Sequence, residues 1–384
     1  MTQDADEILT THIGSLPRPP ELLDLLKRRE EGEEVDRAEW ERATSEATRT
    51  VVERQEEVGL DLANNGEQSR VSFNWYVKNR LSGIEGTREQ ELWADLQEYP
   101  EYASETFRTD VIDLAVQPVV QDRIEYTGHE EARDEIAEFQ TALDDTGADF
   151  EGAFMTSASP SVVTATHVNE HYDSYEEYLF DAADAMQEEY ELIADAGLTL
   201  QIDAPELLTT AQTAAMADEP LEKVKGVTEL HVEALNEALS NVPAEQVRLH
   251  TCWGSYEGPG HLDVDLAEML PVIYEADITG LSVEQANPRH QHEYRAFAEH
   301  PLPDGWTLIP GVVDVKTNII DHPETIADRI ERVADAAADD TPIVAAPDCG
   351  FGTQAGLGMV SPELAWAKLE ALVEGAEIAS DRLY

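Results

Sequence analysis

Short apolar runs recur eight times along this chain, and long amphipathic stretches separate them. The runs cover residues 8–12, 59–63, 150–155, 198–202, 247–250, 279–283, 307–310 and 343–346. Each has the length of a strand. The stretches 37–58, 175–196, 221–239, 264–274, 323–338 and 362–379 repeat apolar residues at a period near 3.6, which predicts helices. A strand followed by a helix returns the chain to the edge it started from, so the next strand lies parallel. Eight such units predict a closed (β/α)₈ barrel, the TIM barrel. An open doubly wound sheet is the alternative. No G-x-G-x-x-G follows a strand, so a dinucleotide-binding sheet has no support. Residues 111–128 stand outside the alternation. Val111-Ile-Asp-Leu-Ala115 and Arg123-Ile-Glu-Tyr126 predict a β-hairpin or a loop excursion over the barrel. With no internal repeat and no low-complexity linker, residues 1–384 are expected to form one domain.

The charge is extreme, with 81 acidic and 25 basic residues and a net charge of −56. The acids are spread along the chain rather than gathered in a tail. Such a surface stays hydrated and self-repelling where salt screens charge, which fits a high-salt cytoplasm. It excludes a nucleic-acid partner, which needs a basic footprint. No apolar run reaches 18 residues, so no membrane helix is expected. Met1-Thr-Gln-Asp-Ala-Asp-Glu7 lacks the apolar core of a signal peptide. The two cysteines cannot form a disulfide framework. A cytoplasmic protein is therefore expected.

In a barrel of this kind, chemistry sits at the C-terminal ends of the strands. In order, those ends carry His12-Ile-Gly-Ser15, Asn64-Asn-Gly-Glu67, Asp203-Ala-Pro-Glu206, His250-Thr-Cys252, Glu284, Asp314 with Lys316, and Asp348-Cys-Gly350. Residues i and i+2 of a strand point the same way, so His250 and Cys252 share a face. Two thiolates and an imidazole suit Zn²⁺. His250, Cys252, Glu284 and Cys349 form the candidate metal set. The alternatives are a disulfide between Cys252 and Cys349, or ordinary core roles for each.

Seven motifs extend this pattern over nearly the whole chain. They are Thr10-Thr-His-Ile-Gly-Ser-Leu-Pro-Arg18, Asn65-Gly-Glu-Gln68, Gln201-Ile-Asp-Ala-Pro-Glu206, His250-Thr-Cys252, Ser282-Val-Glu284, Pro310-Gly-Val-Val-Asp314 and Pro347-Asp-Cys-Gly350. In this order the chain resembles the catalytic C-terminal barrel of cobalamin-independent methionine synthases, and most of all their stand-alone single-barrel branch. The resemblance implies zinc on His250, Cys252, Glu284 and Cys349, and homocysteine as the thiol that receives a methyl group. It implies that Ile13, Gly14 and Ser15 hold the homocysteine carboxylate, and that Glu67 and Asp203 hold its ammonium. Zinc would lower the pKa of the thiol and make a nucleophile at neutral pH.

Two departures bear on the chemistry. The long enzymes have a histidine two residues after the aspartate of P-G-V-x-D, where this chain has Lys316 after Asp314. Lys316 and Asp314 are the catalytic candidates, with Lys316 as an acid or as an anchor for an anion. The N-terminal barrel that helps bind folate in the long enzymes is not expected here. The methyl donor is therefore open among methyl-folate, a methylated corrinoid protein and another methyl compound. A related branch resembles epoxyalkane:coenzyme M transferases, whose thiol carries a sulfonate. Arg18, Arg70 and Arg289 are candidate sulfonate partners. A barrel with structural zinc, or one that only binds a thiol metabolite, is a third reading. Asn287-Pro-Arg-His-Gln-His292 is expected to lie over the mouth without ligating metal. The charge itself yields a prediction. Dialysis from molar to millimolar salt should loosen the fold through self-repulsion, and an unchanged circular dichroism spectrum would contradict it.

Overall fold

The computed structural model describes residues 7–106, 111, 115–213, 215–338 and 340–384. Eight parallel strands form the central sheet: β1 (Leu9–Thr10), β2 (Leu62–Ala63), β3 (Gly152–Ala158), β4 (Thr199–Asp203), β5 (Val247–Thr251), β6 (Gly280–Glu284), β7 (Thr307–Val313) and β8 (Val344–Pro347). Around the sheet the order is β1-β8-β7-β6-β5-β4-β3-β2, so each strand from β2 to β8 pairs with its neighbour in sequence and β1 pairs with β8. All eight fall where apolar runs predict them, and the architecture is the (β/α)₈ barrel. Interior positions are buried on both faces, because helices cover the outside of the sheet.

Closure between β1 and β2 relies on side chains. Each of these strands is only two residues long, too short for a ladder of its own. Asp61 N donates to Thr10 O at 3.2 Å. The Asp61 carboxylate in turn accepts from Thr10 N at 2.6 Å and from Thr10 Oγ1 at 2.7 Å. Gln55, on the helix Arg37–Val58, accepts from Asn64 N at 2.9 Å and donates to Asn64 O at 2.8 Å. Its Oε1 also lies 2.9 Å from His12 Nε2. Arg248 crosses the barrel interior from β5, stacked 3.6 Å over the Phe154 ring. It donates to Gln201 Oε1 at 2.9 Å, Thr11 Oγ1 at 3.2 Å and His12 O at 3.1 Å.

The six expected helices are present, and Asp36 and Ser174 cap two of them by accepting the N3 amide. Among the described residues Pro20–Glu30 and His129–Thr146 are the longest helices outside the six expected stretches. In His129–Thr146 the buried stripe is Ala132, Glu135, Ile136, Phe139 and Ala142, so an acid interrupts the apolar pattern. The excursion also differs from the expected hairpin. Val116–Val120 pairs antiparallel with Ile84–Glu89 and parallel with Val168–Asn169. Tyr126 makes only a single bridge, to Leu81. Three segments from the loops after β2 and β3 thus build a small sheet at the C-terminal face. Residues 1–6 and 112–114, at the acidic start and in the first arm of that hairpin, lie outside the described residues. No described helix is long and apolar enough to cross a membrane.

Glu135 enters the core to meet arginine. It accepts from Arg70 Nε at 2.9 Å and from Arg80, while Arg80 also donates to Glu189 at 2.7 Å. Glu189 takes further bonds from Tyr76, Tyr126 and Ser157. Burial favours protonation of Glu135, yet Arg70 and Arg80 hold its pKa at about 2. Breaking such a buried set from one side strands the remaining charge. Arg80→Met should lower unfolding stability by about 3–5 kcal/mol, read from the urea midpoint in molar KCl. A loss below about 1 kcal/mol, the scale of surface pairs, would mean water reaches the cluster.

Candidate active site

The ends of β5 and β8 bring His250, Cys252 and Cys349 together. Their ligand atoms all lie within 4.8 Å of one another, and all three residues are buried. Both cysteines are free, so no disulfide joins them. His250 Nδ1 lies 3.2 Å from Ser282 Oγ, and its Nε2 has no hydrogen-bond partner. The thiols are electrostatically unequal. A hydrogen bond from Cys252, with help from His250 and Ser255, holds Cys349 well below the usual thiol range despite burial. The same contact, with burial, pushes Cys252 up. Burial disfavours charge on His250, but Cys349, Asp203 and Glu284 outweigh it and raise its pKa. Two sulfurs, one of them readily ionised, and an unpartnered buried imidazole nitrogen fit a thiophilic divalent metal.

Glu284, at the end of β6, stands beside this group without joining its close convergence. Its oxygens lie 3.0 and 3.3 Å from Lys316 Nζ, and Oε1 accepts from Trp253 N at 3.3 Å. Asp314 turns both oxygens to its own loop, accepting from Lys316 N at 3.1 Å and Thr317 Oγ1 at 2.7 Å. Lys368, fully buried, donates to Asp314 O at 2.9 Å and to Ile319 O. Asp348 caps the turn after Glu284. It accepts from the backbone of Gln285 and Ala286 at 2.8 Å and of Asn287 at 2.9 Å. The residue before Cys349 therefore fixes the chain that follows Glu284. Gly311 makes the approach feasible, since a Cβ there would lie 2.4 Å from Asp348 Oδ1.

The neighbouring rim carries the residues expected to hold an amino acid. Gly14 has φ +113°, and a Cβ there would meet Glu67 Oε1 and Thr156 Cγ2, each at 2.6 Å. Ile13 and Ser15, on either side of it, are buried. Gly14 N donates to His12 Nδ1 at 3.2 Å, so the backbone donor expected for a carboxylate already has an acceptor. Burial drops the His12 pKa to about 3, and the neutral ring donates from Nε2 to Gln55. Glu67 is buried with φ +53°. Its Oε1 accepts from Thr156 Oγ1 at 2.9 Å, and its Oε2 has no partner. Asp203 accepts from Gln201 Nε2 at 2.7 Å, and the same nitrogen donates to Ile13 O at 3.0 Å. Burial, with Glu67 adding to it, pushes Asp203 up to about 8 although His250 and Gln201 oppose the shift. Burial likewise raises Glu67. Neither carboxylate forms an ion pair among the described residues. Glu206 faces away, bonded to Ser159 and Ser161 at 2.6 and 2.5 Å.

The candidate sulfonate partners are all engaged. Arg18 donates to Gly352 O at 2.7 Å and Glu67 O at 2.8 Å. Arg70 binds Glu135 and Thr156, and Arg289 donates to Gly260 O at 2.6 Å. Trp253 stacks face to face on His290 at 3.7 Å, which places the 287–292 loop against the residue after Cys252. On the other side, residues 93–95 hold the loop that follows Cys252. Trp93 packs at a tilt against Tyr256, ring centroids 4.9 Å apart, and Asp95 accepts from Gly260 N at 3.2 Å. A cavity of about 610 Å³, lined by Trp40, Arg70, Arg80 and Glu135 among others, contains none of the strand-end candidates. Thr156, Arg248 and the cap made by Asp348 were missed by sequence reasoning. Only Asp348 left a signal, its place beside Cys349.

A family model described as the catalytic domain of cobalamin-independent synthase matches residues 8–144 and 151–377. A methionine synthase of Thermococcus kodakarensis is 24% identical over 376 residues, which span 97% of this chain and 94% of that protein. One from Sulfolobus acidocaldarius is 23% identical, over 100% of this chain and 95% of its own length. Among solved structures, a B12-independent methionine synthase from Shewanella sp. W3-18-1, in complex with selenomethionine, matches with a TM-score of 0.71. It is 19% identical, covers 98% of this chain and 99% of its own, and shares the fold. With the family model matching nearly the full length, the chain belongs to the catalytic-domain family of the cobalamin-independent synthases.

Proposed function

We propose that this chain is a methyltransferase that moves a methyl group onto the thiol of L-homocysteine and forms methionine. We further propose that all 384 residues act as one catalytic domain. In this reading Zn²⁺ is held by His250, Cys252 and Cys349, with Glu284 beside them. The observation that carries it is the pairing of two unlike poles on adjacent strands. Asp203 of β4 lies in register with His250 of β5. One pole offers sulfur and imidazole to a metal, and the other offers two buried carboxylates to a cation. A short amino acid with a thiol at one end and an ammonium at the other suits both.

When bound, the metal supplies the Lewis acidity that lowers the pKa of the incoming thiol. The chain's own residues orient the substrate. Glu67 and Asp203 disfavour each other's charge, and an ammonium held between them would relieve that. Thr156 holds Glu67 Oε1 in place, and Gln201 fixes Asp203 relative to Ile13. Lys316 neutralises Glu284, and Asp314 shapes the loop that carries Lys316. The donor is 5-methyltetrahydrofolate or another methyl compound. The two free thiols suit a reducing compartment such as a cytoplasm. Coenzyme M is the weaker alternative, because Arg18, Arg70 and Arg289 all have protein partners.

Isothermal titration of the zinc-loaded protein in molar KCl discriminates these thiols. L-homocysteine should bind about 10–100-fold more tightly than 4-mercaptobutanoate, which lacks the ammonium, as expected for loss of charge-assisted bonds of about 1.5–3 kcal/mol. Glu67→Gln should erase most of that difference. Equal binding of both thiols, or binding of coenzyme M alone, would remove the amino-acid reading. Separately, Cys349→Ser should lose both bound zinc and methionine formation, and an active, zinc-free variant would sink the metal reading.

A further inference from the structure

Away from the thiolate corner, the fold brings a second set of ligating groups together. Asp265, His292 and Glu293 each place one ligand atom within 4.8 Å of the others, and no sulfur is among them. They come from two places, the start of the helix Leu266–Ile273 and the end of the 287–293 loop. Glu293 is buried, and its Oε2 accepts from Leu266 N at 3.2 Å. Its Oε1 faces two imidazoles, with His290 Nδ1 and His292 Nε2 each 3.7 Å away. His290 is only 2% exposed, and its Nδ1 is buried without a hydrogen-bond partner. We propose that Asp265, His290, His292 and Glu293 form a second metal site, which takes a borderline divalent cation such as Zn²⁺ and ties the 287–293 loop to the helix start. In sequence the loop offers only imidazoles, and on them alone no metal is expected; folding adds the carboxylates of Asp265 and Glu293. The inference does not depend on the methyltransferase reading.

The strongest support is the setting of His290. Its Nε2 lies 2.9 Å from Asp263 Oδ2, and the other Asp263 oxygen accepts from Gln212 Nε2. A ligating histidine usually gives one ring N–H to a carboxylate, which fixes the tautomer and leaves the other nitrogen for the metal. Asp263 fills that outer role here, and the stack on Trp253 fixes the plane of the ring. The spacing fits as well. Donors bound to one tetrahedral zinc at about 2.0–2.1 Å stand about 3.4 Å apart, so the 3.7 Å distances at Glu293 Oε1 need little adjustment. Asp265 is spare for the task. It precedes the helix Leu266–Ile273 as its N-cap, yet its side chain makes no capping bond. Charge balances too, because two carboxylates neutralise a divalent ion and the imidazoles bind it neutral. Imidazole with carboxylate oxygen selects a borderline cation rather than the softer ions that thiolates prefer. Asp265 and His292 are exposed, so the ion has a path from solvent. An ion held there would steady His290, and through the stack Trp253, the residue after Cys252.

The test counts ions on the full-length protein, stripped with chelator and reloaded with Co²⁺ in molar KCl, where salt screens the acidic surface. Co²⁺ reports the two sites separately, because only thiolate ligands give a sulfur-to-metal charge-transfer band. The unmodified protein should bind a second Co²⁺ beyond the one that carries this band. His292→Ala, at a side chain 47% exposed and so tolerant of change, should keep the band and bind the second ion at least about tenfold more weakly. His290→Gln should do the same. Cys349→Ser should lose the band and keep the second ion, so failure of the thiolate corner and failure of this site are told apart. An unmodified protein that binds no Co²⁺ beyond the charge-transfer site overturns the inference. So does a second ion that His292→Ala and His290→Gln both bind unchanged, which would be an adventitious ion only.

Discussion

Arg248 spanning the barrel interior is the interaction on which the mouth depends. β1 and β2 are each two residues long and pair with β8 and β3 but not with each other, yet the residues after them, Ile13–Ser15 and Glu67, are those proposed to hold the amino acid. Arg248 grips Thr11 and His12 at the end of β1 and Gln201 on β4, while Gln201 reaches Ile13 and Asp203. One cation thus ties together strands that the backbone leaves loosely joined. Its burial lowers its pKa to about 9, so the arrangement costs solvation that hydrogen bonds must offset. The shared Gln201 amide means that Ile13 and Asp203 cannot move independently. The spacing of the amino-acid pole is therefore set by the barrel interior rather than by the loops.

A second buried network stands behind Glu67. Arg70 donates to Thr156 Oγ1 at 3.0 Å, and Thr156 donates to Glu67 Oε1. Through Arg70 this hydroxyl is linked to Glu135, Arg80 and Glu189. Networks of this kind often add little net stability over an apolar core, because each ion loses water. Here the network does something an apolar core cannot. It fixes the direction of a threonine hydroxyl, which satisfies one Glu67 oxygen and leaves the other without a partner. The helix His129–Thr146 supplies Glu135 and so belongs to the site as much as to the scaffold.

That helix also shows where sequence reading stops. The eight strands were legible because parallel strands covered on both faces must be apolar throughout, and such runs stand out in an acidic chain. His129–Thr146 was hidden by Glu135, an acid on its inward face whose partners lie at Arg70 and Arg80, far away in sequence. The excursion was misread for a similar reason. The partner of Val116–Val120 is Ile84–Glu89, an exposed polar strand with no apolar run to announce it. Strand ends were legible as candidate sites because titratable residues recur where apolar runs stop. The direction in which each side chain points was not. Glu284 was expected in the metal set and Asp314 as a catalytic group, yet one faces Lys316 and the other its own loop.

The two poles share one electrostatic logic. Glu67, Asp203 and Glu284 are carboxylates buried at adjacent rims of the barrel, and Cys349 is held toward its thiolate. Against them stand Lys316, paired with Glu284, and Arg18 and Arg70, which act on Glu67 without forming an ion pair with it. The remaining negative charge is partly relieved by protons, since Asp203 is raised to about 8 and Glu67 is raised as well. The imbalance is divided in space: sulfur and imidazole lie on one side, where a soft divalent ion fits, and hard carboxylate oxygens lie on the other, where an ammonium fits. Salt screens surface charge far more than buried charge, so this division is carried by the buried groups.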